Sequence, residues 1–236
     1  MKGKNIDKVP SGIRGFDEIS DGGFIRNSII SLVGDVGSGK TIFGTEFIYR
    51  GITEYEENGM YIGFEEPKKN VYRYLLKFGW NMKALEDSQK LIFLEYPPHE
   101  VDIFFEQEDT LLNLIDKFAV SRLVIDPMGV VGMHFPDEAS KKEGLLKLAD
   151  RLRKWGCTTI LISGTHDVKA DISASISALA DTAIQLYTPL IEGRRMRGIE
   201  IVEMRGSAHS QIVHEMLIDS KGIKIDPHSV LQITKG

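Results

Sequence analysis

Ile29-Ile-Ser-Leu-Val33 runs directly into Gly34-Asp-Val-Gly-Ser-Gly-Lys-Thr41, and this junction decides how the rest of the chain folds. The first five residues are rich in branched apolar types, too few for a helix and suited to a strand buried on both faces. The next eight fit the spacing G-x-x-x-x-G-K-[ST], whose glycines let a backbone wrap closely around an anion with its N–H groups inward. Residues 40–53 then read as a helix that turns its positive amino end toward the same place. A glycine-rich strand-to-helix turn with no ligand is the plainer alternative.

Working outward, short apolar runs alternate with helix-period segments. Gly59–Phe64, Leu91–Leu94, Arg122–Asp126 and Thr158–Ser163 read as further strands, and Pro67–Phe78, Gln107–Phe118 and Glu138–Trp155 as helices. In the last helix Leu145, Leu146, Leu148, Ala149 and Leu152 form the expected apolar stripe. Such alternation implies right-handed crossovers and a mostly parallel central sheet with helices on both faces. After Asp181 the pattern changes to consecutive strands at Thr182–Tyr187, Arg197–Met204, Ile212–Ile218 and Gly222–Ile225, with turns at Glu192-Gly193, Gly206-Ser207 and Lys221-Gly222. They read as C-terminal antiparallel strands extending the same sheet, which makes residues 1–236 one α/β domain.

Composition narrows the class. A chain of 236 residues, 42% hydrophobic, can build a sizeable core without disulfides or metals. Its single cysteine, Cys157, excludes a disulfide framework and reads as core filler. No apolar run approaches membrane-span length, and Met1–Asp7 lacks a signal-peptide stretch, so a cytoplasmic protein without a membrane partner is expected. With 29 basic against 34 acidic side chains, the net charge of -5 argues against nucleic-acid binding through bulk charge. The six histidines show no helical i,i+4 pair that would suggest a separate metal site.

The chemistry expected of the motif is nucleotide binding. Gly34, Asp35, Val36, Gly37, Ser38 and Gly39 would cradle phosphates, Lys40 would reach the β- and γ-phosphates, and Thr41 would offer its hydroxyl to Mg²⁺, with Ile42 following. Asp126, closing an apolar strand, fits the acidic residue that holds the magnesium shell through water, although strand-end aspartates also cap helices. Water attack on a γ-phosphate needs a carboxylate, and Phe64-Glu65-Glu66-Pro67 supplies two. If the strand continued they would face opposite sides, leaving Glu65 toward the nucleotide and Glu66 behind it. Both could instead be charges complementing the next helix, with Pro67 in its first turn.

The order of pieces resembles the KaiC-like branch of the RecA/RadA superfamily from Val9 to about Ile225. The matching segments are Ser11–Asp17, Gly22-Gly23, Gly34–Thr41, Phe64-Glu-Glu66, Phe78-Gly-Trp80, Ile125-Asp126, Met204-Arg-Gly-Ser-Ala-His209 and Asp219–Ile223. The resemblance implies a RecA-like P-loop NTPase fold, ATP and Mg²⁺ as cofactors, and a homo-oligomer, hexameric or otherwise ring-like, with ATP between subunits. It also implies that Arg205 reaches a neighbour's γ-phosphate, with Ser207 and His209 near that interface. Two departures stand out. Glu203 replaces the lysine usual two residues before that arginine, and an anion there should weaken transition-state stabilisation. Gly164 replaces the Gln or Glu usual after the fifth core strand, with Ser163, Thr165 and His166 as stand-ins.

The expected function is therefore an oligomeric ATP-binding protein with slow hydrolysis, coupled to contacts with a regulatory protein partner. A recombination accessory factor binding single-stranded DNA is the first alternative. Asp167 and Asp171 around Lys169, with no aromatic for base stacking, count against it, while the cluster Arg194, Arg195 and Arg197 leaves it open as either a solvated turn or a phosphate or subunit contact. A nucleotide-bound scaffold without turnover is the second. Tyr72, Phe78 and Trp80 read as packing, though the resemblance sets Trp80 near the subunit interface.

Overall fold

The computed structural model describes residues 7–165 and 172–233. In chain order the elements are β1 (Lys8–Val9), α1 (Phe16–Ile19), β2 (Phe24–Ile25), β3 (Ile29–Gly34), α2 (Lys40–Glu54), β4 (Asn58–Gly63), α3 (Lys68–Leu75), α4 (Met82–Asp87), β5 (Leu91–Glu95), α5 (Val101–Glu106) and α6 (Glu108–Lys117). There follow β6 (Val120–Asp126), α7 (Met128–Met133), α8 (Glu138–Trp155), β7 (Thr158–Gly164), α9 (Ile172–Leu179), β8 (Thr182–Tyr187), β9 (Leu190–Ile191), β10 (Arg194–Arg195), β11 (Gly198–Met204), β12 (His214–Asp219) and β13 (Gly222–Ile225).

The main sheet has the order β13-β12-β11-β8-β3-β7-β6-β4-β5. From β8 to β5 its strands run parallel, and β11, β12 and β13 extend it antiparallel. This is the mostly parallel sheet with antiparallel C-terminal strands that the sequence implies. The antiparallel part begins one strand later than expected, because β8 pairs parallel with β3, Gly34 opposite Leu186. All six residues of β3 are buried, as its unbroken apolar run requires.

Two cores lie on opposite faces of the sheet. One gathers Phe43, Phe47 and Ile48 of α2 with Phe16, Phe24, Trp80 and Ile223; the other gathers Leu111 and Ile115 of α6 with Leu145, Leu148 and Leu152 of α8. Each such side chain stabilises the fold by roughly 2–3 kcal/mol. The buried stripe of α8 is Leu145, Leu148, Ala149, Leu152 and Trp155. Leu146 is not part of it: one residue beyond Leu145 is about 100° around the helix, and the side chain is 44% exposed. Trp80 packs inside the first core, stacked on Tyr49 at 5.3 Å. Cys157 is buried, and burial pushes its thiol pKa up to about 12.

Two buried polar side chains fasten other segments to α2. Arg122 on β6 is fully buried and donates to Pro10 O at 2.8 Å, Phe47 O at 2.7 Å and Glu57 Oε2 at 2.6 Å, with its cation 4.4 Å from the Phe47 ring. A Cβ at Gly51 would stand 2.3 Å from the Arg122 Cδ, so only glycine leaves room for it. Glu46 accepts from the Ile223 N–H at 2.7 Å, tying α2 to the β12–β13 turn. There Gly222 has φ +112, and a Cβ would lie 2.5 Å from both Glu46 oxygens.

Candidate functional site

Registration of the parallel strands brings several chain segments to one edge. Gly34 at the end of β3 lies opposite Gly164 of β7, and Gly63 at the end of β4 lies opposite Asp126 of β6. The carboxyl ends of parallel strands are where open α/β sheets hold ligands. Here they floor a cleft of about 620 Å³ lined by Val36, Gly37, Lys40, Thr41, Ile42, Tyr61, Glu65, Glu66, Asp126 and Gly164, with Val71, Tyr74, Lys77 and Phe78 on its far wall.

The loop has the backbone its glycines were expected to allow. Gly37 and Gly39 have φ of +79 and +101, and Gly39 starts α2 as its N-cap. Space beyond Gly37 is open, whereas Gly39 is pressed against Ile218 of β12. Val36 stands at the tip, 98% exposed. Ser38 is buried, and its hydroxyl has no hydrogen-bond partner among the described residues. Lys40 Nζ donates to the loop carbonyls of Gly34 and Asp35 at 2.8 and 2.9 Å. Asp35 in turn accepts from the Thr165 hydroxyl.

Thr41 Oγ1 donates to Asp126 Oδ2 at 2.7 Å, and the Tyr61 hydroxyl donates to the same oxygen at 2.7 Å. Burial raises the Asp126 pKa, while the hydrogen bonds from Tyr61 and Thr41 and the charge of Lys40 pull it down. A hydroxyl and a carboxylate oxygen beside a phosphate-sized loop fit Mg²⁺, which takes one or two protein oxygens and completes its shell with phosphates and water. Among the described residues no group of three or more His, Cys, Asp or Glu could hold a metal without such help.

Glu65 and Glu66 both line the cleft and both are exposed. The alternation expected to separate them does not operate, because β4 ends at Gly63 and the chain bends through both glutamates. Of the stand-ins at the end of β7, Ser163 is buried within the sheet and Thr165 is exposed at its end, while His166 lies outside the described residues, as do Asp167, Lys169 and Asp171.

The segment Met204–His209 lies elsewhere. Met204 pairs with Thr182, which pairs with Ile30, so Arg205 follows the amino-terminal level of β3, about 13 Å of strand from Gly34. Its Nε donates to Glu203 Oε1 at 3.1 Å and its Nη2 to Ala178 O at 3.3 Å. Ser207 bonds to Lys8, and His209 Nδ1 lies 2.8 Å from Ser210 O. Arg205 and the phosphate loop of one chain are not brought together. At the other end of β11, Arg197 Nε donates to Gly37 O at 3.1 Å. Arg194 and Arg195 are exposed on β10, but Arg197 is not the solvated turn residue its neighbours are.

A family model described as "ATPase: KaiC" matches residues 9–230. The chain belongs to the KaiC ATPase family. It is 31% identical to the circadian clock protein KaiC3 of Synechocystis sp. over 97% of this chain and 47% of that one. It is 30% identical to the circadian clock oscillator protein KaiC of Thermostichus vulcanus over 98% and 46%. The chain thus spans about half the length of these curated relatives. A crystal structure of a KaiC-like protein from Pyrococcus horikoshii superimposes with a TM-score of 0.84 at 30% identity, covering 94% of this chain and all of that one. Among the described residues no helix is long and apolar enough to cross a membrane.

Proposed function

We propose that this chain binds Mg²⁺–ATP at Gly34–Thr41 and hydrolyses it slowly within a homo-oligomer, a hexameric ring being the simplest form. The observation that carries the reading is the convergence of Lys40, Thr41 and Asp126 in one cleft with Glu65 and Glu66. The loop N–H groups and Lys40 bind the phosphates; Thr41 would hold Mg²⁺ directly and Asp126 would hold it through water, and the ion would supply charge stabilisation at the phosphates. Glu65 orients and deprotonates the attacking water, with Glu66 beside it. Arg205 of a neighbouring copy completes the charge stabilisation, since within its own chain Arg205 lies beyond the amino-terminal end of β3, about 13 Å of strand from Gly34. Turnover then gates contacts with a regulatory protein partner.

A second reading, a nucleotide-bound scaffold with little turnover, is favoured by the Glu203–Arg205 ion pair, which offers the arginine an anion of its own. Native mass measured with and without Mg²⁺–ATP, alongside phosphate release by wild type and Glu65→Gln, separates the two. Nucleotide-dependent assembly with release falling about 100-fold in Glu65→Gln supports hydrolysis. Equal release by both proteins removes Glu65 from catalysis, and a nucleotide-indifferent monomer removes Arg205.

A further inference from the structure

We propose that Tyr61 is a positioning residue for the metal-side carboxylate Asp126. The proposal rests on reading the cleft as the Mg²⁺–nucleotide site. Tyr61 lies on β4 opposite Val124 of β6, and Asp126 follows Val124 by two residues, so phenol and carboxylate share one face of the sheet. The Tyr61 ring is 3% exposed and stacked on Phe93, with centroids 4.7 Å apart and planes within 18°. Packing therefore fixes the ring, and the hydroxyl projects from it toward the cleft floor, 2.7 Å from Asp126 Oδ2.

The geometry is that of a carboxylate held from two sides. Thr41 approaches Oδ2 from α2 and Tyr61 approaches it from β4. Two hydroxyl donors on one oxygen fix the rotation of the carboxylate about its own axis. Thr41 is the residue assigned to Mg²⁺ directly, so its hydroxyl must serve the cation as well as Asp126. Tyr61 carries no such second duty. Its donor keeps Asp126 in place whichever way Thr41 is engaged, and outer hydrogen bonds of this type orient metal-side ligands and raise metal affinity.

The test is Tyr61→Phe, which keeps the stacked ring and removes only the hydroxyl. ATP affinity is measured with a fluorescent ATP analogue in EDTA, then during Mg²⁺ titration, with thermal unfolding followed in parallel. The expected result is unchanged affinity in EDTA and a Mg²⁺ midpoint raised about tenfold. In an Asp126→Asn background, Tyr61→Phe should shift the midpoint no further, because the carboxylate it positions is gone. A wild-type midpoint in Tyr61→Phe overturns the proposal, as does an equal loss of affinity with and without Mg²⁺, which is the mark of a purely structural residue. A full additional shift in the Asp126→Asn background overturns it too. Wild type that binds nucleotide in neither condition overturns the reading of the cleft itself, and the positioning role with it.

Discussion

The two ends of the central sheet are built on different principles. At the carboxyl end, β4, β6 and β7 deliver Tyr61, Asp126 and Gly164 to one cleft beside the end of β3, where Lys40 bonds to Gly34 O and Thr41 and Tyr61 bond to Asp126 within the chain. At the amino end of β3, Arg205 sits on a surface turn about half exposed, bonded to Glu203 and to a carbonyl of α9. Strand β11 joins the two, with Arg197 against the phosphate loop at one end and Arg205 at the other. One arginine is held against the loop of its own chain and the other is held away from it. A binding site can be complete in one chain while the chemistry proposed for it is not, and the variants below are ways to break that separation.

The largest effect should come from Lys40→Ala. Removing the cation of the loop should weaken ATP affinity about 1,000-fold, measured by titration with labelled nucleotide. Arg205→Ala should instead bind ATP within about threefold of wild type, yet release phosphate about 100-fold more slowly under assembling conditions. If Arg205→Ala loses affinity as severely as Lys40→Ala, the two ends are not separate in function.

A pH effect sharpens the same contrast, because the loop leans on the antiparallel strands. Ile218 of β12 presses on Gly39, and Glu46 of α2 holds the following turn through Ile223 N–H. Burial pushes the Glu46 carboxyl up to about 7, against the pull of that N–H and of Arg50 and Arg14. A carboxyl whose pKa is raised on folding binds its proton more tightly in the native state. Its contribution is therefore complete below about 4.5, the ordinary value, and is lost as pH rises through 7. The loss amounts to about 3 kcal/mol at roughly 1.4 kcal/mol per pKa unit. Denaturant unfolding between pH 4.5 and 8 should show Glu46→Gln flatter than wild type by this amount. Parallel curves would mean that Glu46 ionises as freely in the folded protein as in the unfolded one.

How much of this was legible follows from whether a feature is contiguous. The strand, loop and helix of residues 29–54 announce themselves because motif, burial and periodicity coincide in one stretch. The short helices α4, α5 and α7, six residues each, have too few turns to show a period, and the β1–β2 and β9–β10 pairs are two residues deep. The separation of Glu65 from Glu66 failed for a local reason: alternation holds only while the strand lasts, and β4 stops at Gly63. Tyr61 and Asp126 are 65 residues apart, so an aromatic in an apolar run looks like packing until the sheet pairs β4 with β6. Arg122 at the start of a strand gave no sign of being the buried clamp on Pro10 and Phe47, because its partners come from three separate segments.

The smallest effect concerns Arg197, whose contact with the loop spans 160 residues of sequence. The guanidinium donates to the carbonyl of Gly37, the loop glycine at which an added Cβ would meet open space. A carbonyl held by a cation cannot easily turn inward, so the neighbouring N–H groups stay available to an anion. The bond lies near the surface, and such contacts contribute about 1 kcal/mol or less. Arg197→Ala should therefore weaken ATP affinity by about threefold, and the loss should shrink at high salt only if the cation acts on the phosphates through space. A salt-independent loss assigns Arg197 to holding the loop backbone. Arg197→Lys then discriminates further: an ammonium can still donate to Gly37 O, so near-complete rescue is expected for a backbone latch. An unchanged affinity in Arg197→Ala would show that the loop keeps its shape without help from β11.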